Sequence, residues 1–177
     1  RDGAPSVTNE YEVAHVHRFK RGSGIPLQIS AVELLEIGAG GGSIARLSKL
    51  DLLTVGPESA GAKPGPVCYA RGGKEPTVTD ADLLLGYLDP EFFLGGEMQL
   101  DVQAAREAMQ TEIGRVLNLK PEDVALGIHN IVNEHMCAAI SAHGAEKGID
   151  LRQFDMIAFG GAGPIHAYAI ARKLKLK

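Results

Sequence analysis

The chain has 177 residues, enough to bury one sizeable hydrophobic core. Its composition, 45% hydrophobic and 23% charged, is typical of a soluble globular protein and argues against intrinsic disorder. The net charge of −4 offers no basic surface for nucleic acid, and no apolar run is long enough to span a membrane, so we expect neither as a partner.

The cysteine content predicts reduced thiols. Cys68 and Cys137 form no CxxC pair and no disulfide framework, so we expect two unlinked thiols in a cytoplasmic protein. The first residue is Arg1 and the lysine-rich end stops abruptly, which is typical of an internal piece of a longer protein. We treat residues 1–177 as a single fragment.

The first part of the chain predicts little regular structure. Residues 1–24 are polar and are expected to be loosely ordered, although Val13–Phe19 alternates loosely enough for a strand. The apolar stretch Ile25–Ile37 predicts one buried strand, or a strand followed by a bend.

A glycine-rich loop, residues 38–43, comes next and precedes a predicted hairpin. The two strands of this hairpin are expected at Ser43–Ser48 and Leu52–Val55. Residues 56–79 then hold four prolines among several glycines, which indicates a long ordered loop, since such loops in compact domains are usually functional.

Helices dominate the second half of the sequence. Thr79 is a plausible N-cap for a short helix over residues 80–88, and Asp101 caps a clearer one over 102–118. Pro121 opens a long helix that ends near Gly148. Apolar periodicity predicts that its buried face consists of Val124, Ile128, Ile131, His135, Ala138 and Ala142.

The strongest local signal is a glycine turn between a strand and a helix. A buried strand is predicted at Phe154–Phe159 and a helix at Ile165–Leu174, with Pro164 at its first position. Gly160, Gly161 and Gly163 lie between them, where backbone can approach a ligand and the helix start can bind an anion. The spacing alone leaves a nucleotide contact and a tight packing turn as equal alternatives.

Other residues extend this possible site. Gly40, Gly41 and Gly42 form a second glycine loop after an apolar run, with a flexible bend as the alternative. His166 follows the glycine turn closely enough to touch a nucleotide, or to lie on the helix surface.

Three carboxylates are candidate ligands of a divalent ion. Glu58, Asp80 and Asp82 lie between the two glycine loops in the sequence. Carboxylate oxygens are suitable ligands for a Mg²⁺ ion that is also bound to phosphate. Asp80 and Asp82 are equally explained as acids that stabilise a helix dipole. No serine or cysteine lies in a recognisable nucleophile motif, so the catalytic residues stay unknown.

Four longer motifs together resemble the hydantoinase A and 5-oxoprolinase family. They occur in the same order as in that family, at Glu36–Ala45, Val55–Tyr69, Glu75–Asp82 and Phe159–His166. The resemblance covers nearly the whole chain, from about Gly22 onward.

This resemblance implies an α/β fold: part of the second lobe of an actin-like, ribonuclease-H-like ATPase, with a long ordered loop and a helical layer. It implies ATP and Mg²⁺ as cofactors, and a hydantoinase B-type partner subunit or domain. The substrate would be a hydantoin, oxoproline or another cyclic amide, or a ketone if the relationship is to the acetone and acetophenone carboxylases. A subunit-assembly segment without a catalytic role is the third alternative.

The family's phosphate loops of the Asp-x-Gly-Gly-Thr type do not occur in this sequence. The chain on its own is therefore expected to hydrolyse no ATP. By analogy with the actin-like fold, the resemblance assigns Gly160, Gly161 and Gly163 to the turn that approaches the adenosine.

Overall fold

The protein is described by a computed structural model that covers residues 7–9, 11–13, 22, 24–32 and 35–176. It forms two compact units, Arg1–Glu36 and Ile37–Lys177. The secondary structure is mixed α/β, with short antiparallel strand pairs and a larger helical part. Within the described residues, no helix is both long and apolar enough to cross a membrane.

The first unit contains two antiparallel strand pairs. Strand β1 (Val7–Thr8) pairs with β4 (Ala31–Val32), and β2 (Tyr11–Val13) pairs with β3 (Ile25–Leu27). The prediction of a buried strand in the Ile25–Ile37 stretch is wrong.

The apolar residues of that stretch are too accessible for a core strand. Ile25, in β3, is 61% exposed, and Ile29, which follows β3, is 49% exposed. Of the strand predicted at Val13–Phe19, only Val13 lies within the described residues, where it ends β2.

The predicted hairpin is confirmed in the second unit. Strand β5 (Ser43–Leu47) pairs antiparallel with β6 (Leu53–Ser59), and Ala45 lies opposite Val55, both buried. The turn has no glycine, and Asp51 takes the left-handed conformation instead, with φ of 55°.

The loop after β6 is ordered, as predicted. It contains a 3₁₀ turn at Val67–Tyr69, and residues 65–68 are buried. The remaining helical elements of the second unit are α1 (Val78–Leu84), a 3₁₀ turn (Leu94–Gly96), α2 (Val102–Met109), a π-helical segment (Gln110–Gly114), α3 (Arg115–Leu117), α4 (Pro121–Glu146), a 3₁₀ turn (Leu151–Gln153) and α5 (Gly163–Leu174).

Helix α1 begins two residues earlier than predicted. Its N-cap is Thr77, whose side chain accepts a hydrogen bond from the Asp80 amide while the Asp80 carboxylate accepts one from the Thr77 amide. This reciprocal capping box outcompetes the predicted cap at Thr79 because it satisfies two helix-start donors at once. The helix also ends earlier, at Leu84, before Gly86 turns the chain with φ of 79°.

The helix predicted over 102–118 is confirmed with one irregularity. Asp101 caps it by accepting from the Ala104 amide, and the π-helical segment separates α2 from α3. Ala105, Met109 and Ile113 are buried, but Val116 is 56% exposed. The wider π turn rotates the helix beyond it, so that Leu117 packs on the core instead.

Helix α4 is confirmed as the longest element, and its buried face differs from the predicted one. His135 was expected in the core and is exposed, whereas His129 and Asn133 are buried. The buried residues of α4 follow the helical period of 3.6 residues. The predicted series from Val124 to Ala142 leaves the buried face after its first turns.

The main core lies between the hairpin and helices α1, α2 and α4. Its buried members are Ala45, Val55, Val78, Ala81, Met109, Ile113, Val124, Ala125, Ile128 and Val132. A smaller cluster lies under the ordered loop and consists of Cys68, Leu83, Leu100 and Ala105.

The strand predicted at Phe154–Phe159 is wrong in the described chain. The segment pairs with none of the described strands, and Ile157 and Phe159 are 89% and 88% exposed. An apolar run of this kind becomes a buried strand only where a sheet edge is available to it, which no sequence pattern can show. The helix after it is confirmed as α5, with Pro164 in its first turn.

We predict that native protein reacts slowly with a thiol reagent at both cysteines. Cys68 and Cys137 are free and buried, and burial raises the pKa of both thiols, so little thiolate is present at neutral pH. The unreduced protein should show the intact mass of the dithiol form. Reagent should label both thiols only after a denaturant is added. Fast labelling of the folded protein would contradict the buried positions.

Candidate functional site

The two predicted glycine loops lie against each other. The first loop precedes β5, and the second connects to α5. A Cβ placed on Gly41 would lie 3.7 Å from the Cβ of Ala162, so residues far apart in sequence form one surface.

Two glycines of the first loop are required by packing within the chain. A Cβ on Gly41 would lie 2.7 Å from the Thr79 Oγ1, and one on Gly42 would lie 2.6 Å from the Ser59 Oγ. The Gly41 carbonyl accepts from both the amide and the hydroxyl of Thr79, at 2.8 and 2.9 Å. The first loop is therefore fixed to the start of α1.

Four further glycines of the two loops adjoin open space. A Cβ on Gly40, Gly160, Gly161 or Gly163 would meet no described atom within 4 Å. Gly160 has φ of 97°, a left-handed conformation that disfavours any side chain, and Gly163 begins α5. The bare backbone and the helix start can thus approach a bound anion or nucleoside.

His166 lies on the inner side of this surface rather than on the helix surface. It is fully buried in the first turn of α5, and its Nδ1 lies 2.9 Å from the Oδ1 of Asn133 on α4. Its Nε2 has no hydrogen-bond partner, although it lies 3.5 Å from the Oδ2 of Asp82, within ion-pair range. His166 is therefore the one predicted nucleotide-contact residue that the fold places in the interior.

Asp82 joins two histidines beneath the loops. Its Oδ1 lies 2.8 Å from the Nδ1 of His129, and both side chains are buried. Burial raises the pKa of the Asp82 carboxyl, but its contacts to His129 and His166 outweigh that effect, and the net pKa is lowered. The ring of His129 stacks between Tyr87 and His166, with centroid distances of 5.0 and 4.8 Å.

Asp80 has a different environment from Asp82. Its carboxylate accepts from the amides of Val67 (3.2 Å), Cys68 (2.7 Å) and Thr77 (2.8 Å), and from the Thr77 hydroxyl (2.8 Å). These donors come from the ordered loop and the helix cap. Asp80 therefore fastens the loop to α1.

Glu58 is exposed on β6. It pairs with Arg46, which also binds Glu75, and these bonds raise the pKa of the guanidinium and lower that of Glu75. Such an exposed pair contributes little to stability.

Of the three predicted carboxylates, the structure places only Asp82 in a group of side chains able to hold a metal. Within the described residues that group is Asp82, His129 and His166. His129 and Asn133 were missed as site residues by the sequence analysis. The available signal was two polar residues one turn apart on an otherwise apolar helix face.

Comparison with known proteins identifies the family. The model for the hydantoinase/oxoprolinase family matches residues 1–177. The chain belongs to this family. This confirms the resemblance drawn from the four motifs.

Two relatives show what the chain is similar to within the family. It is 45% identical over 154 residues to caprolactamase subunit alpha of Pseudomonas jessenii, covering 87% of this chain and 22% of that one. It is 43% identical over 141 residues to the acetophenone carboxylase gamma subunit of Aromatoleum aromaticum, covering 79% and 19%. Both relatives are subunits of larger enzymes.

Solved structures agree with these sequence matches. The crystal structure of the ATP-dependent caprolactamase superposes with a TM-score of 0.75 over 87% of this chain and 22% of that one. A nucleotide-free acetone carboxylase structure, from work on ATP-dependent acetone carboxylation, gives 0.76 at 33% identity, over 86% and 21%. The chain spans about a quarter or less of the curated relatives it matches.

We predict that Asp80→Asn destabilises the second unit. The amide replaces an acceptor oxygen by a donor, which would face an N–H or O–H group in a buried position. The free energy of unfolding should fall by about 1–3 kcal/mol, the usual cost of an unsatisfied buried group. Denaturant unfolding would measure it, with Asp155→Asn, at an exposed position, as the matched control. An equal effect of both substitutions would contradict the role given to Asp80.

Proposed function

We propose that this chain supplies the glycine loops of the nucleotide site in an ATP-dependent enzyme that hydrolyses cyclic amides. The observation that carries this proposal is the shared surface of the two loops, on which four glycines leave space that no described atom fills. Packing accounts for Gly41 and Gly42, and the left-handed backbone accounts for Gly160, but neither accounts for Gly161 and Gly163. A nucleoside against bare backbone would explain these two.

The same proposal includes an actin-like fold. The chain would form part of the second lobe of an actin-like ATPase, with Gly160, Gly161 and Gly163 against the adenosine. Gly40 would lie beside the same ligand. His166 would not touch the ligand: it lies below the glycine surface and holds the first turn of α5 in place through its hydrogen bond with Asn133.

ATP would transfer its γ-phosphoryl group to the amide oxygen and leave as ADP, which makes the amide carbon a better electrophile for water. Cleavage of the C–N bond and loss of phosphate would then give the open-chain amino acid. The protein's task in such a reaction is to position phosphates and stabilise spreading charge. We propose that Glu58 lies near the bound Mg²⁺ without being one of its inner ligands. Its carboxylate is exposed, and the hydroxyl of the next residue, Ser59, lies close to Gly42 of the first glycine loop. Asp80 and Asp82 would support the site from inside α1.

A ketone carboxylase is the second candidate function. It is favoured by the 43% identity to the acetophenone carboxylase subunit and by the structural match to acetone carboxylase. In that enzyme class ATP would phosphorylate an enolate before carboxylation, and the nucleotide surface proposed here would be the same. Several relatives are enzyme subunits, which also supports a hydantoinase B-type partner. Under the assembly alternative, the ordered loop is the docking surface.

The nucleotide proposal predicts a separation between folding and binding at Gly163. Because a side chain there meets open space beyond its chain neighbours, Gly163→Ala and Gly163→Val should both fold, although a Cβ on a helical residue directly before Pro164 should lower the melting temperature, more for valine than for alanine. ATP affinity should fall modestly for alanine and at least tenfold for valine, since the larger side chain occupies the space assigned to the nucleoside.

The measurement is the melting temperature and the ATP affinity of each variant in the full-length protein. Gly41→Ala is the contrasting control, because its Cβ collides with Thr79 and should lower stability. Unchanged ATP affinity in a folded Gly163→Val protein would exclude this loop as the nucleoside contact. The assembly alternative would then be favoured.

The substrate class has a separate test. Full-length protein with its partner should release ADP when supplied with a hydantoin, 5-oxoproline or a larger lactam, without consuming bicarbonate. Release of ADP only with a ketone and bicarbonate would establish the carboxylase instead. Neither outcome bears on the Gly163 experiment.

A further inference from the structure

The buried group Asp82, His129 and His166 carries an inference beyond nucleotide binding. Each residue comes from a different helix, α1, α4 and α5, and their candidate donor atoms all lie within 4.8 Å of one another. All three side chains are at least nine-tenths buried. A buried polar group normally has a hydrogen-bond partner, and the His166 Nε2 has none.

Asn133 determines what this nitrogen carries. The Oδ1 of an amide can only accept a hydrogen bond, so the Nδ1 of His166 donates to it at 2.9 Å. A neutral imidazole then has a bare lone pair on Nε2. The Nε2 lies 3.5 Å from a carboxylate oxygen of Asp82.

Two electron-rich atoms facing each other in a buried site repel unless a cation lies between them. The same carboxylate presents its other oxygen to the His129 Nδ1 at 2.8 Å. In a tetrahedral site with bonds of about 2.0–2.1 Å, neighbouring ligand atoms are about 3.3 Å apart, and the two observed separations bracket that value. The geometry therefore suits a metal ion as well as a proton.

From these contacts we infer that Asp82, His129 and His166 form a binding site for a divalent transition metal of the zinc class. Two imidazoles and one carboxylate favour Zn²⁺ or a similar ion over Mg²⁺, which prefers oxygen ligands. Asn133 is the positioning residue: its hydrogen bond with Nδ1 fixes the ring orientation and leaves Nε2 to bind the metal, as hydrogen bonds to the other ring nitrogen of ligating histidines do. The three protein ligands leave one coordination position, which a water can fill.

The metal would link the first turn of α5 to α1 and α4. Since His166 follows Gly163 by three residues, this link lies directly beneath the second glycine loop. The site does not depend on that loop binding ATP. The two proposals can therefore fail separately.

The test is metal binding by full-length protein purified without a histidine tag, from cells grown with added Zn²⁺ or Co²⁺. The wild-type protein should hold one equivalent more metal than His166→Ala, and its Co²⁺ form should show the intense visible bands of a four-coordinate ion. Asn133→Ala should weaken metal affinity by about 10–100-fold while leaving the ligands in place. His135→Ala is the matched control: an exposed histidine on the same helix, whose loss should leave the metal content unchanged.

A second measurement keeps the inference testable if His166→Ala fails to fold. Added Zn²⁺ should raise the melting temperature of metal-depleted wild-type protein, and Asn133→Ala should require more metal for the same rise. The inference is overturned if wild-type protein takes up no metal at this site. It is equally overturned if His166→Ala and wild type hold equal metal, or if nitrogen NMR shows both ring nitrogens of His166 protonated in metal-supplied protein.

Discussion

The buried carboxylate of Asp80 is the interaction on which the second unit depends. It receives hydrogen bonds from the amides of Val67 and Cys68 and from the amide and hydroxyl of Thr77. A long loop has many backbone groups to satisfy and little apolar surface to bury, so a single acceptor serving several of them limits its freedom. The same contacts define where α1 starts.

Once the start of α1 is fixed, the positions of the glycine loops follow. Thr79, one residue before Asp80, holds the Gly41 carbonyl through both its amide and its hydroxyl. Two residues later, Asp82 points inward to the histidines of α4 and α5. One turn of helix thus connects the ordered loop, the first glycine loop and the helix that carries the second.

The family assignment and the geometry support the function from different directions. The family is shown by the match over residues 1–177, and two solved structures that resemble the chain are of ATP-dependent enzymes. The geometry adds that four glycines face open space while two are packed within the chain. The chain spans only about a quarter or less of its relatives.

The sequence by itself determined the family, the hairpin, the helices α2, α4 and α5, and the free state of both cysteines. These features rest on local signals: a capping aspartate at 101, prolines in first turns and periodic apolar residues, all of which act within a few residues of each other. The tertiary structure decided the rest. Phe154–Phe159 is a strand by pattern, yet it pairs with none of the described strands, and Ile157 and Phe159 are exposed.

Only the fold could bring Asp82, His129 and His166 together, because they are separated by 47 and 37 residues of sequence, as their numbering shows. The buried face of α4 is rotated by a fraction of a turn from the predicted one, which exposes His135 and buries His129 and Asn133. The spacing of apolar residues predicts the buried face of a helix only to within about one residue per turn. An error of that size is enough to predict His135 as buried in place of His129. The physical reason is that burial is settled by which neighbouring helices pack against α4, and the sequence of α4 does not contain that information.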